Sequence, residues 1–386
     1  MKIAYVGDFL NHGKSLQTIG TSIVLLLSDL SEVDSIDVYC PSKNENVENF
    51  KTHEKIKLIE SYKYDNLKSI LNLLKIRKKN YDKIIFNLLP TGFGKSSLSN
   101  FAGLSLPIIL KDIFGDNRVE VIYHNSVFTN DIKKLGYNSL FDRFRAFILS
   151  HVERTIFRSI QTFVFLQLYK DRIGIKIKSN KVSVLKGNYL EAITTVYIND
   201  AQKITHLSRK SKSDIPTILM HGSWGPQKNL ELGLSSLREL KEEGIRFNLI
   251  ISGGINHHFP EYEVEFKHLI SSYSDIINKY LGIVDEGKIM DIFLEADLII
   301  LPYNTPGGHS GVLEQAIFFE VPTVAIDFPE YREQSKNVNF VKLTTKENFK
   351  LTLKEAIINS HNRDPVSVSK KIEEARKNIK ILICEG

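Results

Sequence analysis

The sequence has few of the features that mark secreted, metal-stabilised or membrane-spanning proteins. It has only two cysteines, Cys40 and Cys384, which match neither a zinc-binding spacing nor a disulfide framework. No apolar run approaches the ~20 residues needed to cross a bilayer. The first apolar stretch ends at Gly7, too early for a signal peptide. These absences predict a cytoplasmic protein with reduced thiols.

Positive charge is concentrated in the first half of the chain. Residues 1–200 carry 28 Lys and Arg against 20 Asp and Glu, whereas the remaining residues carry 23 against 25. This asymmetry indicates an anionic partner for the first half, such as a membrane surface or a phosphorylated substrate. Lysines on solvated helix surfaces explain any single cluster equally well.

Short apolar strands alternate with amphipathic helices along most of the chain. Such alternation predicts an α/β protein with two doubly wound, Rossmann-like domains that face each other across a cleft. We expect an N-terminal domain over residues 1–205 and a C-terminal domain over residues 206–365. A charged helix over residues 366–386 is expected to pack back towards the N-terminal domain.

A near match to a nucleotide-binding motif lies in the first half. The stretch LPTGFGKS follows a predicted strand and ends in Gly94, Lys95 and Ser96, as the phosphate-binding loop G-x-x-x-x-G-K-[ST] does. Leu89 stands where the motif requires glycine, and its side chain would block the close approach of the backbone to a phosphate. We therefore expect the loop to lie on the acceptor side of the cleft, with Lys95 near an anionic acceptor. ATP binding is kept as a minor alternative.

Three loops in the second half fall where doubly wound sheets bind ligands, beyond the carboxyl ends of strands. The loop HGSWGPQKN places Lys228 at a helix start, where the helix dipole favours anions. The turn GIVDEG, around Val284, would offer backbone groups to a flat ring. The loop LPYNTPGGHSGVLEQAI precedes a helix expected to start near Ser310.

The start of that helix is the most informative feature of the second half. The free amides of Ser310, Gly311 and Val312 would bind a diphosphate without a metal. Glu314 would lie on the first turn and face the same crevice. Its carboxylate would accept hydrogen bonds from sugar or ribose hydroxyls, or would only complement the helix dipole.

In their order, the three loops resemble those of the large retaining family 4 of GT-B-fold glycosyltransferases, often called glycosyl transferases group 1. The family's G-R-x-x-x-x-K-N loop, its L-G-x-V turn and its loop with two glutamates separated by seven residues correspond to residues 222–229, 281–284 and 306–316. The resemblance covers most of residues 215–345. It implies that Val284 reads the nucleotide base and that Glu314 contacts the ribose. It also implies a set of donor-diphosphate residues: Gly222, Ser223, Lys228, Gly307, Gly308, Ser310, Gly311 and Val312.

The chain departs from the family pattern at two positions. Ser223 stands where the family has an arginine, so one of two diphosphate cations is missing. Pro306 stands where the family has its first glutamate, which contacts the donor sugar, and the amides of Gly307 and Gly308 would substitute for it. These departures favour a second hypothesis, a catalytically degenerate GT-B-like subunit that binds a nucleotide or sugar without transferring it.

The resemblance extends weakly to the first half. His124 follows the predicted strand VEVIY at the point where the family often has a histidine that contacts the donor sugar or the acceptor. A hydrogen-bonded structural histidine is the alternative interpretation. Gly13 matches the family's glycine turn after the first strand, which approaches donor and acceptor. We predict His124 and Glu314 as the catalytic residues.

Residues 67–79 form a predicted basic amphipathic helix. Leu67, Ile70, Leu71 and Leu74 share one helical face, and lysines and arginines supply much of the remainder. Such a helix can lie on an anionic membrane. A helix packed on the sheet with a solvated basic face shows the same pattern.

The sequence as a whole predicts a glycosyltransferase that moves a hexose from a UDP- or GDP-linked sugar to a hydroxyl of a glycan or lipid-linked acceptor. Retention of configuration is implied by the resemblance alone. Lys228 and the helix amides would stabilise the departing diphosphate, so we expect neither a metal nor another cofactor. We expect no nucleic-acid partner, and peripheral association with the cytoplasmic face of a membrane is an additional hypothesis. The donor base, the sugar, the acceptor and the linkage are left open.

Overall fold

The structure is a computed structural model that describes residues 1–7, 15–42, 53–90, 92–94, 96–115, 118–124, 126, 140–186, 189–199, 206–207, 214–256, 259–305, 308–359 and 366–384. It divides into two compact units. The first comprises Met1–Leu190 together with Glu373–Gly386, and the second comprises Glu191–Ile372. The division falls earlier than the boundary expected at residue 205.

A parallel sheet of seven described strands forms the centre of the first unit. Its spatial order is β3 (Ile56–Tyr62), β2 (Ser35–Pro41), β1 (Lys2–Val6), β4 (Lys83–Leu88), β5 (Val119–Tyr123), β6 (Gln161–Val164) and β7 (Val182–Val184). Strands β4 and β5 are buried along their whole length, because helices cover both faces of a parallel sheet. The direction in which strands are added reverses between β1 and β4, which makes this edge a topological switch point.

The helices of the first unit follow the strands in the doubly wound pattern. They are α1 (Ser15–Ser28), α2 (Leu67–Leu71), a 3-10 helix (Asn72–Lys78), α3 (Ser97–Phe114), α4 (Leu140–Ser159) and α5 (Gln167–Ile177). Right-handed crossovers place α2, α3, α4 and α5 side by side on one face of the sheet. The C-terminal residues of the unit form the end of α13 (Val368–Ile379) and α14 (Ile381–Cys384), and Arg376 pairs there with Asp29 at 2.6 Å.

The second unit has the same topology with six described parallel strands. Their spatial order is β11 (Lys279–Tyr280), β10 (Asn248–Ser252), β9 (Thr217–His221), β12 (Leu298–Leu301), β13 (Thr323–Ile326) and β14 (Val341–Thr344). A short antiparallel pair is formed by β8 (His206–Leu207) and β15 (Val366–Ser367). The helices are α6 (Leu190–Ile198), α7 (Leu230–Glu242), α8 (Tyr262–Ser272), α9 (Glu286–Glu295), α10 (Gly311–Phe318), α11 (Pro329–Gln334) and α12 (Phe349–Ile358). The switch point lies between β9 and β12.

These sheets confirm the predicted α/β class with two Rossmann-like domains. The sequence pattern did not reveal the edge strands β3 and β14. Both are only partly buried, so they lack the continuous apolar runs that mark the central strands.

The segment 67–79 is helical from Leu67 to Lys78, and its predicted apolar face is correct only in part, because Ile70 is buried and Leu74 packs against the core. The buried residues are Ile70, Leu73 and Ile76, whereas Leu67 and Leu71 are exposed. The segment changes from α-helix to 3-10 helix at Asn72. A 3-10 helix has three residues per turn, so its buried positions recur at every third residue. Among the described helices, none has the length and the apolar composition required to cross a bilayer.

Candidate donor site

The loop that follows β9 lies directly at the switch point of the second unit. Gly222 adopts a φ of 144°, a conformation that favours glycine, and the chain then enters a 3-10 helix at Pro226–Lys228. The Lys228 amide donates to the carbonyl of Gly225 at 2.9 Å, which fixes the turn. Ser223 is exposed at the rim of this loop.

The Lys228 side chain is held over an aromatic ring and has no anionic partner among the described residues. Its Nζ lies 3.7 Å from the centre of the Tyr303 ring, on the loop that follows β12. Burial lowers the pKa of Lys228 to about 7. Burial, and then the charge of Lys228, lower the pKa of the neighbouring His221 to about 4, so this imidazole is neutral at pH 7. A partly desolvated ammonium without a counter-charge is costly unless a ligand supplies the opposite charge.

The predicted residues Gly222, Lys228 and Val312 come together in space. A methyl group at Gly222 would lie 3.6 Å from Val312 Cγ2, 3.7 Å from the Tyr303 hydroxyl and 3.8 Å from Lys228 Cε. The Tyr303 hydroxyl is buried and has no hydrogen-bond partner in the described part of the chain. The two sides of the switch point therefore offer an ammonium and a hydroxyl to one small volume.

Helix α10 begins at Gly311, as the sequence predicted, and Ser310 caps it. The Ser310 hydroxyl accepts from the Leu313 amide at 3.3 Å. The sequence predicted a free amide at Ser310, but this amide donates to Oε1 of Gln334 at 3.0 Å. The amides of Gly311 and Val312 have no acceptor among the described residues, and they remain available to an anion.

Glu314 is buried beneath the start of α10 instead of facing an open crevice. Its Oε1 accepts from the Glu191 amide at 2.8 Å, so the carboxylate satisfies one of the unpaired amides at the start of α6. Its Oε2 lies 3.4 Å from Nε2 of His309, whose pKa burial lowers to about 4. The side chain of Glu191 in turn packs closely against Gly311. The role of Glu314 as a ribose ligand and catalytic residue stays a prediction.

Of the other predicted donor residues, the structure describes Gly308 and Val284. Gly308 adopts a φ of 106° in the loop before α10. Gly307, like Pro306, lies outside the described residues. Val284 is half-buried after the turn at Gly282, whose carbonyl accepts from the Gly253 amide at 2.5 Å.

A pH dependence follows from the lowered pKa of Lys228. Below about pH 7 the free protein already carries the charged ammonium, whereas above it the binding of a diphosphate must be accompanied by proton uptake. We expect the Kd for UDP or GDP to rise about tenfold per pH unit above pH 7.5 in titrations that span pH 6.5 to 9. The variant Lys228→Arg keeps its charge throughout, so its Kd should not depend on pH in this range. An equal slope in both proteins would contradict the assignment.

The end of β5 in the first unit carries His124. Its Nε2 lies 2.6 Å from Oδ1 of Asn87 on β4, and its ring packs against Phe165 at 4.8 Å between ring centres. Asn87 is itself fixed by close packing against Gly7 at the end of β1. The predicted residue Gly13 lies outside the described residues.

Asn87 is a candidate positioning residue that the sequence interpretation missed. The available signal was a single polar side chain near the carboxyl end of the apolar strand KIIFNL. An acceptor at Nε2 selects the tautomer in which the other ring nitrogen is unprotonated. The contact therefore orients the ring of His124, and the role of His124 as a catalytic residue stays a prediction.

The variant Asn87→Ala is expected to lower the rate of sugar transfer by about 10- to 100-fold, because the ring of His124 loses its orientation. Stabilisation by UDP or GDP should not change, since Lys228 lies in the other unit. Asn80→Ala, an exposed asparagine of the same unit, is the matched control. Wild-type turnover in Asn87→Ala would show that His124 needs no orientation by Asn87.

The glycine-lysine loop of the first unit already contains an anion of its own. The Asp65 carboxylate accepts from the Ser96 amide at 2.5 Å, at the start of α3, and fills the space beside Gly94. Lys95 itself lies outside the described residues. Because a carboxylate occupies the helix start where a phosphate would bind, this geometry disfavours ATP binding there.

Comparisons with known proteins agree with this geometry. Residues 202–378 match the family Glycosyl transferases group 1. A comparison with curated protein sequences found no significant match.

Solved structures of similar fold cover nearly the whole chain. Sucrose-phosphate synthase from Thermosynechococcus elongatus has a TM-score of 0.62 at 13% identity, with 99% of this chain and 94% of that chain covered. Anabaena HepE in complex with UDP-glucose has a TM-score of 0.62 at 14% identity, with both chains covered completely at 100%. WaaG, a glycosyltransferase involved in lipopolysaccharide biosynthesis, has a TM-score of 0.56 at 15% identity, with 98% and 95% covered. These structures show that the chain has the two-domain GT-B fold. Residues 202–378, most of which lie in the second unit, match the group 1 family.

Proposed function

We propose that the protein transfers a hexose from a nucleoside diphosphate sugar to a hydroxyl of a glycan or lipid-linked acceptor, with retention of configuration and without a metal. The observation that carries the proposal is the unpaired, partly desolvated ammonium of Lys228 beside the free amides at the start of α10. HepE, a protein of similar fold, binds UDP-glucose, which supports a nucleoside diphosphate sugar as the class of donor.

The site stabilises charge where the reaction produces it. The bond between the anomeric carbon and the diphosphate oxygen breaks, and its electrons leave with the diphosphate. The acceptor oxygen forms the new bond to the anomeric carbon, and its proton passes to the departing diphosphate or to solvent. Lys228 and the amides of Gly311 and Val312 are fixed before the reaction, so they stabilise the growing negative charge without reorganisation.

Metal independence is proposed because the Lys228 ammonium and the amides of Gly311 and Val312 supply the positive charge that a divalent cation supplies in metal-dependent enzymes. Among the described residues, no cluster of three or more His, Cys, Asp or Glu is arranged to hold a metal ion. Transfer should therefore persist in the presence of EDTA. A requirement for a divalent cation would overturn this part of the proposal.

An anionic membrane surface contacting residues 67–79 is a further part of the proposal. The exposed residues there include Leu67 and Leu71 beside Lys68, Lys75 and Lys78. WaaG, a structural neighbour, acts in lipopolysaccharide biosynthesis, which supports a lipid-linked acceptor as one candidate class.

The direct test is nucleotide release from a panel of donors. The purified chain would be incubated with UDP-glucose, UDP-N-acetylglucosamine and GDP-mannose, each with a glycan or a polyprenyl-phosphate acceptor. Acceptor-dependent release of UDP or GDP that Lys228→Ala abolishes supports the proposal, and the anomeric configuration of the product decides retention. Nucleotide binding without release from any donor would favour the degenerate binding subunit.

A further inference from the structure

The outer face of the helical layer on the first unit carries a concentrated apolar surface. Eight large apolar side chains on α3 and α4 are between 37% and 83% exposed. Six of them lie in the first three turns of the two helices: Leu98, Phe101, Leu140, Phe144, Phe147 and Ile148. We call them the apolar patch. Helix α3 packs directly against α4, so the two groups of side chains lie on adjacent helices. Contiguous exposed apolar surface of this kind marks an interaction site.

The patch has a defined position relative to the sheet. Helices α3 and α4 both follow strands of a parallel sheet, so both begin at its carboxyl edge. The patch occupies the first turns of each helix and therefore lies at that edge. His124 directly follows β5 at the same edge. A partner on the patch would thus contact the edge of the unit that carries His124.

The rest of this helical layer is basic. The sequence of α2 with its 3-10 extension, α3 and α4 contains nine Lys and Arg against three Asp and Glu. One of these acids, Glu153, is buried and accepts from Tyr123 and Ser126. Along α4 the exposed face changes from apolar residues to His151, Arg154 and Arg158. An apolar area with a basic border is complementary to an anionic lipid surface.

We propose that the apolar patch docks on a bilayer that contains anionic lipids, with Phe144 and Phe147 inserted among the acyl chains and the surrounding lysines and arginines at the headgroups. This surface extends well beyond residues 67–79. If the proposed function holds, on which this step rests, docking would bring the carboxyl edge of the first unit to a lipid-linked acceptor. Binding to the bilayer does not itself depend on the donor chemistry.

The test is co-sedimentation of the full chain with vesicles of neutral lipid alone and of neutral lipid with about one third anionic lipid. The double variant Phe144→Ser/Phe147→Ser should lose about tenfold in binding to the anionic vesicles, because two apolar side chains no longer leave water. The matched control, Leu351→Ser/Ile358→Ser, removes two comparably exposed apolar side chains from the second unit and should bind as the wild type does.

Three results would overturn the proposal. They are absence of vesicle binding, equal loss of binding in the patch variant and the control, and equal binding to neutral and anionic vesicles. A change from dimer to monomer in the patch variant, without vesicle binding, would assign the patch to a second copy of the chain. Stabilisation by UDP or GDP is measured on the same variants. It should persist in the patch variant, which separates a failure of docking from a failure of the proposed function.

Discussion

Replacing Lys228 with alanine is expected to remove most of the stabilisation that UDP or GDP gives to the protein. The side chain is the one cation that the described structure places at the switch point of the second unit without an acceptor. Charge-assisted hydrogen bonds contribute about 1.5 to 3 kcal/mol each, so the Kd should rise by roughly 10- to 150-fold. A nucleotide present at ~100 times its Kd stabilises by about 2.7 kcal/mol, and this figure should fall by at least half.

The unliganded variant separates binding from folding. Because the ammonium of Lys228 is desolvated without a counter-charge, its removal should leave the Tm of the free protein unchanged or slightly raised. Lys267→Ala is the control; it removes an exposed lysine paired with Glu263 on the same unit. If Lys228→Ala binds UDP or GDP as tightly as Lys267→Ala does, the donor site is assigned wrongly.

Replacing Gly253 with alanine is expected to be among the most destabilising single changes in the second unit. Gly253 has a φ of 109°, and a Cβ there would lie 1.8 Å from the carbonyl oxygen of Gly222. Its amide also donates to the carbonyl of Gly282 at 2.5 Å. The ends of β9 and β10 and the turn after β11 therefore meet backbone to backbone, and a methyl group must displace one of them.

Gly244→Ala is the matched control for the backbone strain. Gly244 also has a positive φ, 87°, but nothing lies within 4 Å of a Cβ there. Both variants incur the ~1–2 kcal/mol cost of a left-handed alanine, and only Gly253→Ala adds the displacement of Gly222. We expect Gly253→Ala to lower the Tm by about 6–12 °C, as ~3 kcal/mol does for a domain of this size, and to weaken UDP or GDP binding as well. If Gly253→Ala and Gly244→Ala have equal Tm values, the ends of β9 and β10 and the turn after β11 do not constrain one another.

Local sequence signals predicted the fold and the start of the donor site. Buried parallel strands show as continuous apolar runs, and the combination of serine and glycine at Ser310 and Gly311 correctly predicted the first residue of α10. The position of Lys228 also follows from local spacing, since a loop after a central strand of a doubly wound sheet must reach the carboxyl edge.

The partners of the site residues could not be predicted, because they are distant in sequence. Gln334 accepts from the Ser310 amide and is 24 residues away in sequence. Glu314 accepts from the Glu191 amide, and these two residues are 123 positions apart. Nothing in the loop HGSWGPQKN indicates that Tyr303 lies under the Lys228 ammonium. In the first unit, the sequence likewise did not indicate that the Asp65 carboxylate accepts from the Ser96 amide at the start of α3, where a phosphate-binding loop would hold a phosphate.

The most direct test of the donor-site assignment is calorimetric titration of the purified protein with UDP, GDP and ATP at pH 7 in the presence of EDTA. We expect binding of UDP or GDP that is weakened in Lys228→Ala and unchanged in Lys95→Ala, with no binding of ATP. Binding of ATP alone, lost in Lys95→Ala and retained in Lys228→Ala, would contradict the assignment.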